Sequence, residues 1–163
     1  MDKKEQFIAA IQEHEGFIYK IAAVYTHTAE DRNDLVQEII YQLWKSFESF
    51  DQRSGIGTWM YRVALNVAIY QLKKSSKRVP TVSIGEYHSN QPENNDSIKE
   101  EQWQLLRKQV DQLNLLDKAI VLLYLDNKSY DEIAAIVGIS KTNVGTKLLR
   151  IKDKLKQQLK NTL

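Results

Sequence analysis

Apolar residues recur at Phe7, Ile8, Ile11, Ile18, Ala22 and Tyr25, at spacings of three, four and seven. That spacing predicts a first helix with one buried face. A second helix is expected to begin near Asp31, read as its N-cap, with Leu35, Val36, Ile39, Ile40, Leu43, Trp44 and Phe47 on a wide apolar stripe. A stripe that wide needs more than one neighbour to cover it. After a break over 49–57, a third helix is expected over about 58–76, with Trp59, Val63, Val67 and Leu72 facing inward. Three helices make a compact first domain, 1–76. The segment 77–96 loses the helical period and gathers Pro, Gly, Asn and Ser, as a flexible linker does. About 20 extended residues reach roughly 65 Å, more than two touching domains need. Periodicity returns with Ile98, Trp103, Leu106, Val110 and Leu113, runs from Leu116 to Leu125, and resumes after a polar break at 126–129. This predicts a second domain of four helices, 97–163.

Composition sharpens the fold class. Both prolines, Pro80 and Pro92, fall in the linker, leaving the rest of the chain free to be helical. The expected fold is therefore all-α: two small helical domains joined by a flexible linker. Cysteine is absent, which excludes disulfides, thiolate metal sites and a cysteine nucleophile, and suits a reducing cytoplasm. The first residues mix acids and bases through their apolar positions, unlike the core of a signal peptide, and no apolar run approaches a membrane span. Neither membrane insertion nor a cofactor is expected. His14, His27 and His88 show no metal-ligand spacing, and no paired catalytic carboxylates or glycine-rich phosphate loop appear, so no catalytic or metal site is expected.

The net charge of +2 says little, because the charges are segregated. The last helix, expected over 141–160, carries Lys141, Lys147, Arg150, Lys152, Lys154, Lys156 and Lys160 against the single acid Asp153. Just before it, Ser129 and Glu132 fit a capping box that opens a short helix through Ile133, Ala134, Ile136 and Val137. Gly138 is the residue type best able to turn the chain sharply, and Ser140 can cap the next helix. Small Ala134, Gly138 at the turn and inward Val144 have the spacing of a helix-turn-helix. Val144, Leu148, Ile151 and Leu155 would be buried. Ser140, Lys141, Thr142, Asn143, Gly145, Thr146, Lys147 and Arg150 would then face a major groove and its phosphates. The bland alternative is a helical hairpin with a solvated basic face.

In the first domain Asp34, Gln37, Glu38, Tyr41 and Lys45 form one polar strip on the second helix. Along the third helix stand Trp59, Tyr61, Arg62, Asn66, Lys73 and Lys74, types that suit single-stranded DNA: aromatic surfaces beside positive charge. Each also has a duller role, in the core for Trp59 and on a solvated surface for the lysines.

The stretch Asp34-Leu-Val-Gln37-Glu38-Ile-Ile-Tyr-Gln-Leu-Trp44, then Phe50, then Thr58 through Asn66, resembles region two of bacterial extracytoplasmic-function (ECF) sigma factors. Ser129 through Ala134, Gly138-Ile-Ser140, Val144 and Leu148 resemble that family's region four. Together the resemblances cover most of the chain, in the family's order. They imply a non-enzymatic subunit that carries core RNA polymerase to promoters and helps open them. Asp34, Gln37, Glu38 and Tyr41 would meet the polymerase. Ser49, Phe50, Asp51, Trp59, Tyr61, Arg62, Asn66, Lys73 and Lys74 would meet the minus-ten element, where an unstacked base is captured. The residues 140–150 named above would read the minus-35 element. An anti-sigma factor is a further implied partner.

Several positions depart from the family pattern: Tyr70 stands where Asp is common, Asn114 where Pro is usual, and Thr142, Asn143 and Gly145 replace other residues in the reading helix. These leave the promoter sequence open. Glycine inside a helix costs about 1 kcal/mol relative to alanine, so Gly145 suggests close approach of the backbone to DNA. An ordinary helix-turn-helix repressor and a pure interaction adaptor remain the competing readings.

Overall fold

The computed structural model describes residues 2–50, 55–76 and 97–162; the linker, Asp51, His88 and the last residue lie outside the described residues. Seven α-helices and one short 3-10 turn make up the fold, with no strand among the described residues. The chain divides into two compact units, Met1–Tyr87 and His88–Leu163.

The first unit holds α1 (Lys3–Tyr25), α2 (Ala29–Ser46), a 3-10 turn (Phe47–Ser49) and α3 (Ile56–Ser76). Asp2 opens α1 by accepting the Glu5 N–H at 2.8 Å. Thr28, not Asp31, caps α2: its hydroxyl accepts the Asp31 N–H at 3.0 Å, placing Glu30 and Asp31 in the first turn. Threonine is competent at that position, and the two acids then lie by the positive end of the helix dipole.

All three helices pack on one another around Ile21, Ala22, Ile39, Leu43 and Ala68, each fully shielded from solvent. The inner face of α3 differs from the sequence expectation. Met60, Tyr61, Ala64, Leu65 and Ala68 are buried, whereas Trp59, Val63, Val67 and Leu72 are only half-buried. A helix apolar on most sides offers two stripes at the same spacing. The one with small Ala64 and Ala68 faces inward, where little side chain separates the backbones. Ile8 likewise leaves the predicted face of α1 and is 45% exposed, while Ala10, Phe17 and Ile21 take places in the core.

The second unit holds α4 (Ser97–Asp111), α5 (Leu115–Leu125), α6 (Tyr130–Val137) and α7 (Lys141–Thr162). Helix α5 is apolar almost all round, with every residue from Lys118 to Leu123 buried, as befits a central helix. Asn114 caps it, accepting the Asp117 N–H at 2.8 Å. Buried Lys118 lies 3.9 Å from the Asp111 carboxylate. The far end of α7 is tied to the end of α4 by an amide pair, with Gln158 donating to Gln112 at 2.8 Å.

Candidate nucleic-acid and polymerase interfaces

The helix-turn-helix assembles from local chemistry. Ser129 accepts the Glu132 N–H at 3.1 Å while Glu132 accepts the Ser129 N–H at 3.2 Å, completing the capping box. Helix α6 stops at Gly138, whose φ of 81° lies in the left-handed region open to glycine. Its N–H and that of Ile139 both donate to the Ala134 carbonyl, which tightens the turn. Ser140 then accepts the Asn143 N–H at 3.1 Å and starts α7.

Val144, Leu148 and Ile151 lock α7 inward, at 4% exposure or less. That orientation leaves Ser140, Lys141, Thr142, Asn143, Thr146 and Arg150 exposed and Gly145 and Lys147 half-exposed. Two of the cations have acidic neighbours: Lys141 lies 3.4 Å from Asp131, and Lys147 lies 4.0 Å from a buried oxygen of Asp117. The second separation is too long for a direct hydrogen bond, so Lys147 is steered by charge. Lys152 sits over the Tyr124 ring at 4.4 Å and donates to its hydroxyl at 3.0 Å. That hydrogen bond raises the Lys152 pKa above its ordinary value, keeping the ammonium charged. Leu149, 64% exposed on the same side as Thr146 and Arg150, was not singled out in the sequence.

In the first unit, Asp34 and Gln37 are exposed, Glu38 is half-buried and Tyr41 is 56% exposed. Glu38 accepts a hydrogen bond from Gln42 at 3.0 Å, which fixes its carboxylate along the helix. Beside this strip lies a groove of about 590 Å³ lined by Lys4, Phe7, Ile8, Gln37, Ile40, Tyr41 and Trp44. The sequence reading placed Trp44 and Ile8 in the core, yet each is 45% exposed. An apolar stripe wider than its neighbours can cover is the signal that could have revealed the groove.

The groove floor continues as a chain of aromatic rings. Phe7 meets Trp44 at 5.0 Å and Phe47 at 5.4 Å, Phe47 meets Trp59 at 6.2 Å, and Trp59 meets Phe50 at 5.0 Å. Half-buried Phe50 and Trp59 therefore stand at the end of the 3-10 turn with one ring supporting the other. Ser49 is exposed, donating to the Ser46 carbonyl at 2.8 Å. Gly57 lets His14 approach: a Cβ there would stand 3.2 Å from the imidazole. His14 is half-buried as a result and is not simply a surface residue.

Along α3, Arg62, Asn66, Lys73 and Lys74 share an exposed face. Tyr61 does not join them. It is 7% exposed, its ring edge-on to Phe17 with centroids 3.6 Å apart, because the inner face of α3 is rotated toward it. Its ring is closed to a stacking base in this conformation. Charge divides between neighbouring helices. Helix α2 carries Glu30, Asp31, Asp34 and Glu38 against Arg32 and Lys45, a net acidic balance, whereas α3 carries Arg62, Lys73 and Lys74 and no acid.

No group of three or more His, Asp or Glu side chains suited to a metal occurs among the described residues, and no helix there is long and apolar enough to cross a membrane.

Comparison with known proteins accounts for both units. Sigma-70 region 2 matches residues 10–78, and Sigma-70, region 4 matches residues 103–155. The RNA polymerase sigma factor SigV of Bacillus subtilis is 29% identical over 158 residues, spanning 96% of this chain and 92% of that protein. The ECF RNA polymerase sigma-E factor of Escherichia coli K12 is 28% identical over 149 residues, spanning 83% and 78%. Among solved structures, CnrH in complex with the cytosolic domain of CnrY shares the fold with a TM-score of 0.72 at 17% identity, covering 98% of this chain and 90% of that one. The sigma factor RpoE in complex with the anti-sigma factor NepR from Bartonella quintana has a TM-score of 0.64 at 18% identity, with 96% of each chain covered. With its two halves matching the two sigma-70 regions in their order, the chain belongs to the bacterial RNA polymerase sigma factors, in the ECF class.

Proposed function

We propose that the two units divide promoter recognition between them as a non-catalytic initiation subunit in the cytoplasm, with core RNA polymerase holding both. The polymerase docks on α2 through Asp34, Gln37, Glu38 and Tyr41, with the adjoining apolar groove supplying contact area. Carboxylates on that strip pair with basic partner residues and set encounter rate and specificity. Ser49, Phe50, Asp51 and Trp59 cradle an unstacked base of the minus-ten element. Arg62, Asn66, Lys73 and Lys74 follow the strand along α3. Helix α7 enters the major groove at the minus-35 element, with Ser140, Lys141, Thr142, Asn143 and Thr146 toward base edges. Gly145 lets the backbone come close, and Lys147 and Arg150 lie toward phosphates. Flipping a base costs a few kcal/mol, which the cradle and the cationic face offset.

The observation that carries this reading is the opposite charge of α2 and α3. A net acidic helix suits a basic protein partner, and a helix with cations and no acid of its own suits a nucleic-acid strand, on one small unit. A repressor of the ordinary helix-turn-helix kind needs neither. An anti-sigma protein that covers these faces is a further partner, in line with the complex solved for Bartonella quintana RpoE.

The test is run-off transcription from host genomic DNA with purified core polymerase, with and without the chain. Initiation at discrete sites only when both are present is expected, and Glu38→Lys should weaken polymerase binding without moving the melting temperature. Tight, polymerase-independent binding to a palindrome would instead establish the repressor.

A further inference from the structure

Tyr70 is 64% exposed on α3, so most of its ring contributes nothing to the core. At 3.6 residues per turn, Arg62, Asn66, Tyr70, Lys73 and Lys74 fall within about a third of the helix circumference. All five are exposed. The tyrosine therefore stands in the middle of the cationic strip, between an amide one turn before it and two lysines one turn after it. No acid on α3 opposes a phosphate there. A large aromatic face held in water beside positive charge is the arrangement that single-stranded nucleic acid uses for stacking, and it is sequence-tolerant because every base has a π-face.

Position along the helix narrows what it touches. Tyr70 lies about 6 Å beyond Asn66 and about 12 Å beyond Arg62 at 1.5 Å per residue. Twelve ångströms correspond to roughly three to four base pairs at 3.4 Å each. With the base-capturing turn at the start of α3 and Lys73 and Lys74 at its end, Tyr70 falls where paired and unpaired DNA meet. We propose that the Tyr70 ring stacks on the first unpaired base at the upstream edge of the melted segment and holds that boundary open. The proposal rests on the assignment of α3 to the minus-ten strand given above.

The experiment uses the full chain bound to host core polymerase. The probe is the strongest promoter found by sequencing the 5′ ends of transcripts that the wild-type holoenzyme makes on host genomic DNA, resynthesised with 2-aminopurine at successive non-template positions. Tyr70→Ala should shorten open-complex lifetime by about five- to a hundredfold, the usual cost of removing one base-stacking ring. It should also abolish fluorescence quenching at one upstream position. Tyr70→Phe, which keeps the ring, should stay within about twofold of wild type on the same stacking argument. Polymerase affinity and the melting temperature of the free chain should be unchanged in both variants. Wild-type lifetime and quenching in Tyr70→Ala would overturn the proposal, as would a loss of polymerase affinity with the DNA step intact. A wild-type holoenzyme that starts no transcripts at all would overturn the assignment beneath it, an outcome separable from the other two.

Discussion

At Gly145 the stability of the helix and the proposed approach to DNA make opposing demands, and replacement with alanine separates them. It lies inside α7, four residues past its start and half-exposed. A Cβ there would meet the Tyr130 ring at 3.6 and 3.9 Å, ordinary van der Waals contact, with nothing nearer. The methyl group is thus accommodated without repacking, and alanine recovers about 1 kcal/mol of the backbone entropy that glycine forfeits in a helix interior. In a unit of this size that gain corresponds to a rise of about 4–8 °C in melting temperature. Thermal unfolding of the full chain followed by circular dichroism measures it. A Gly145→Ala chain that melts at or below the wild-type temperature refutes the reasoning, because no steric cost remains to cancel the gain. The same variant in holoenzyme then reports on function. If the α7 backbone approaches a phosphate at this point, minus-35 binding falls while stability rises. Equal binding would show that the glycine serves no close approach.

Three further outcomes are expected from the packing. Gly138→Ala should destabilise by about 1–2 kcal/mol, the cost of a side chain in the left-handed region at φ 81°, so one substitution has opposite signs at two glycines seven residues apart; chemical denaturation of both variants checks it. Phe7→Ala should cost about 3–5 kcal/mol, because a ring only 8% exposed and braced by Trp44 and Phe47 leaves a cavity that rigid neighbours cannot fill; a drop in the first unit's unfolding midpoint is the readout. Burial pushes the Tyr25 phenol well above its ordinary value of 10, so the folded chain keeps that proton where the unfolded chain releases it. Stability is whole below pH 10 and falls as pH rises beyond it, by up to about 1.4 kcal/mol per pH unit, and Tyr25→Phe should flatten that alkaline limb in urea titrations.

The sequence was most legible where structure is made by local hydrogen bonds. Ser129, Glu132, Gly138 and Ser140 are each committed by their own chemistry to a cap or a turn, and the structure uses all four so. It was less legible where choice depends on neighbours. Thr28 and Asp31 are both competent caps three residues apart, and the start of α2 went to the first. On α3 the series Trp59, Val63, Val67 and the series Met60, Ala64, Ala68 are both apolar at four-residue spacing, so periodicity alone left the phase undetermined. What decides is the closeness that two alanines allow against the rest of the bundle, and that rotation also draws Tyr61 inside. The groove beside Tyr41 is illegible in the sequence for a related reason: Ile8 and Trp44 have the pattern of core residues, yet each stays 45% exposed among the described residues.

The split of charge between α2 and α3 carries a consequence for how the whole assembly responds to its ionic surroundings. Both contacts proposed for the first unit are attractions between unlike charges, one with a protein and one with a polyanion, and dissolved salt screens each of them. Rising potassium therefore loosens this subunit from its enzyme and from its template together, and the two losses multiply. Osmotic conditions in the host would set a ceiling on its transcripts even when the amount of the protein is constant.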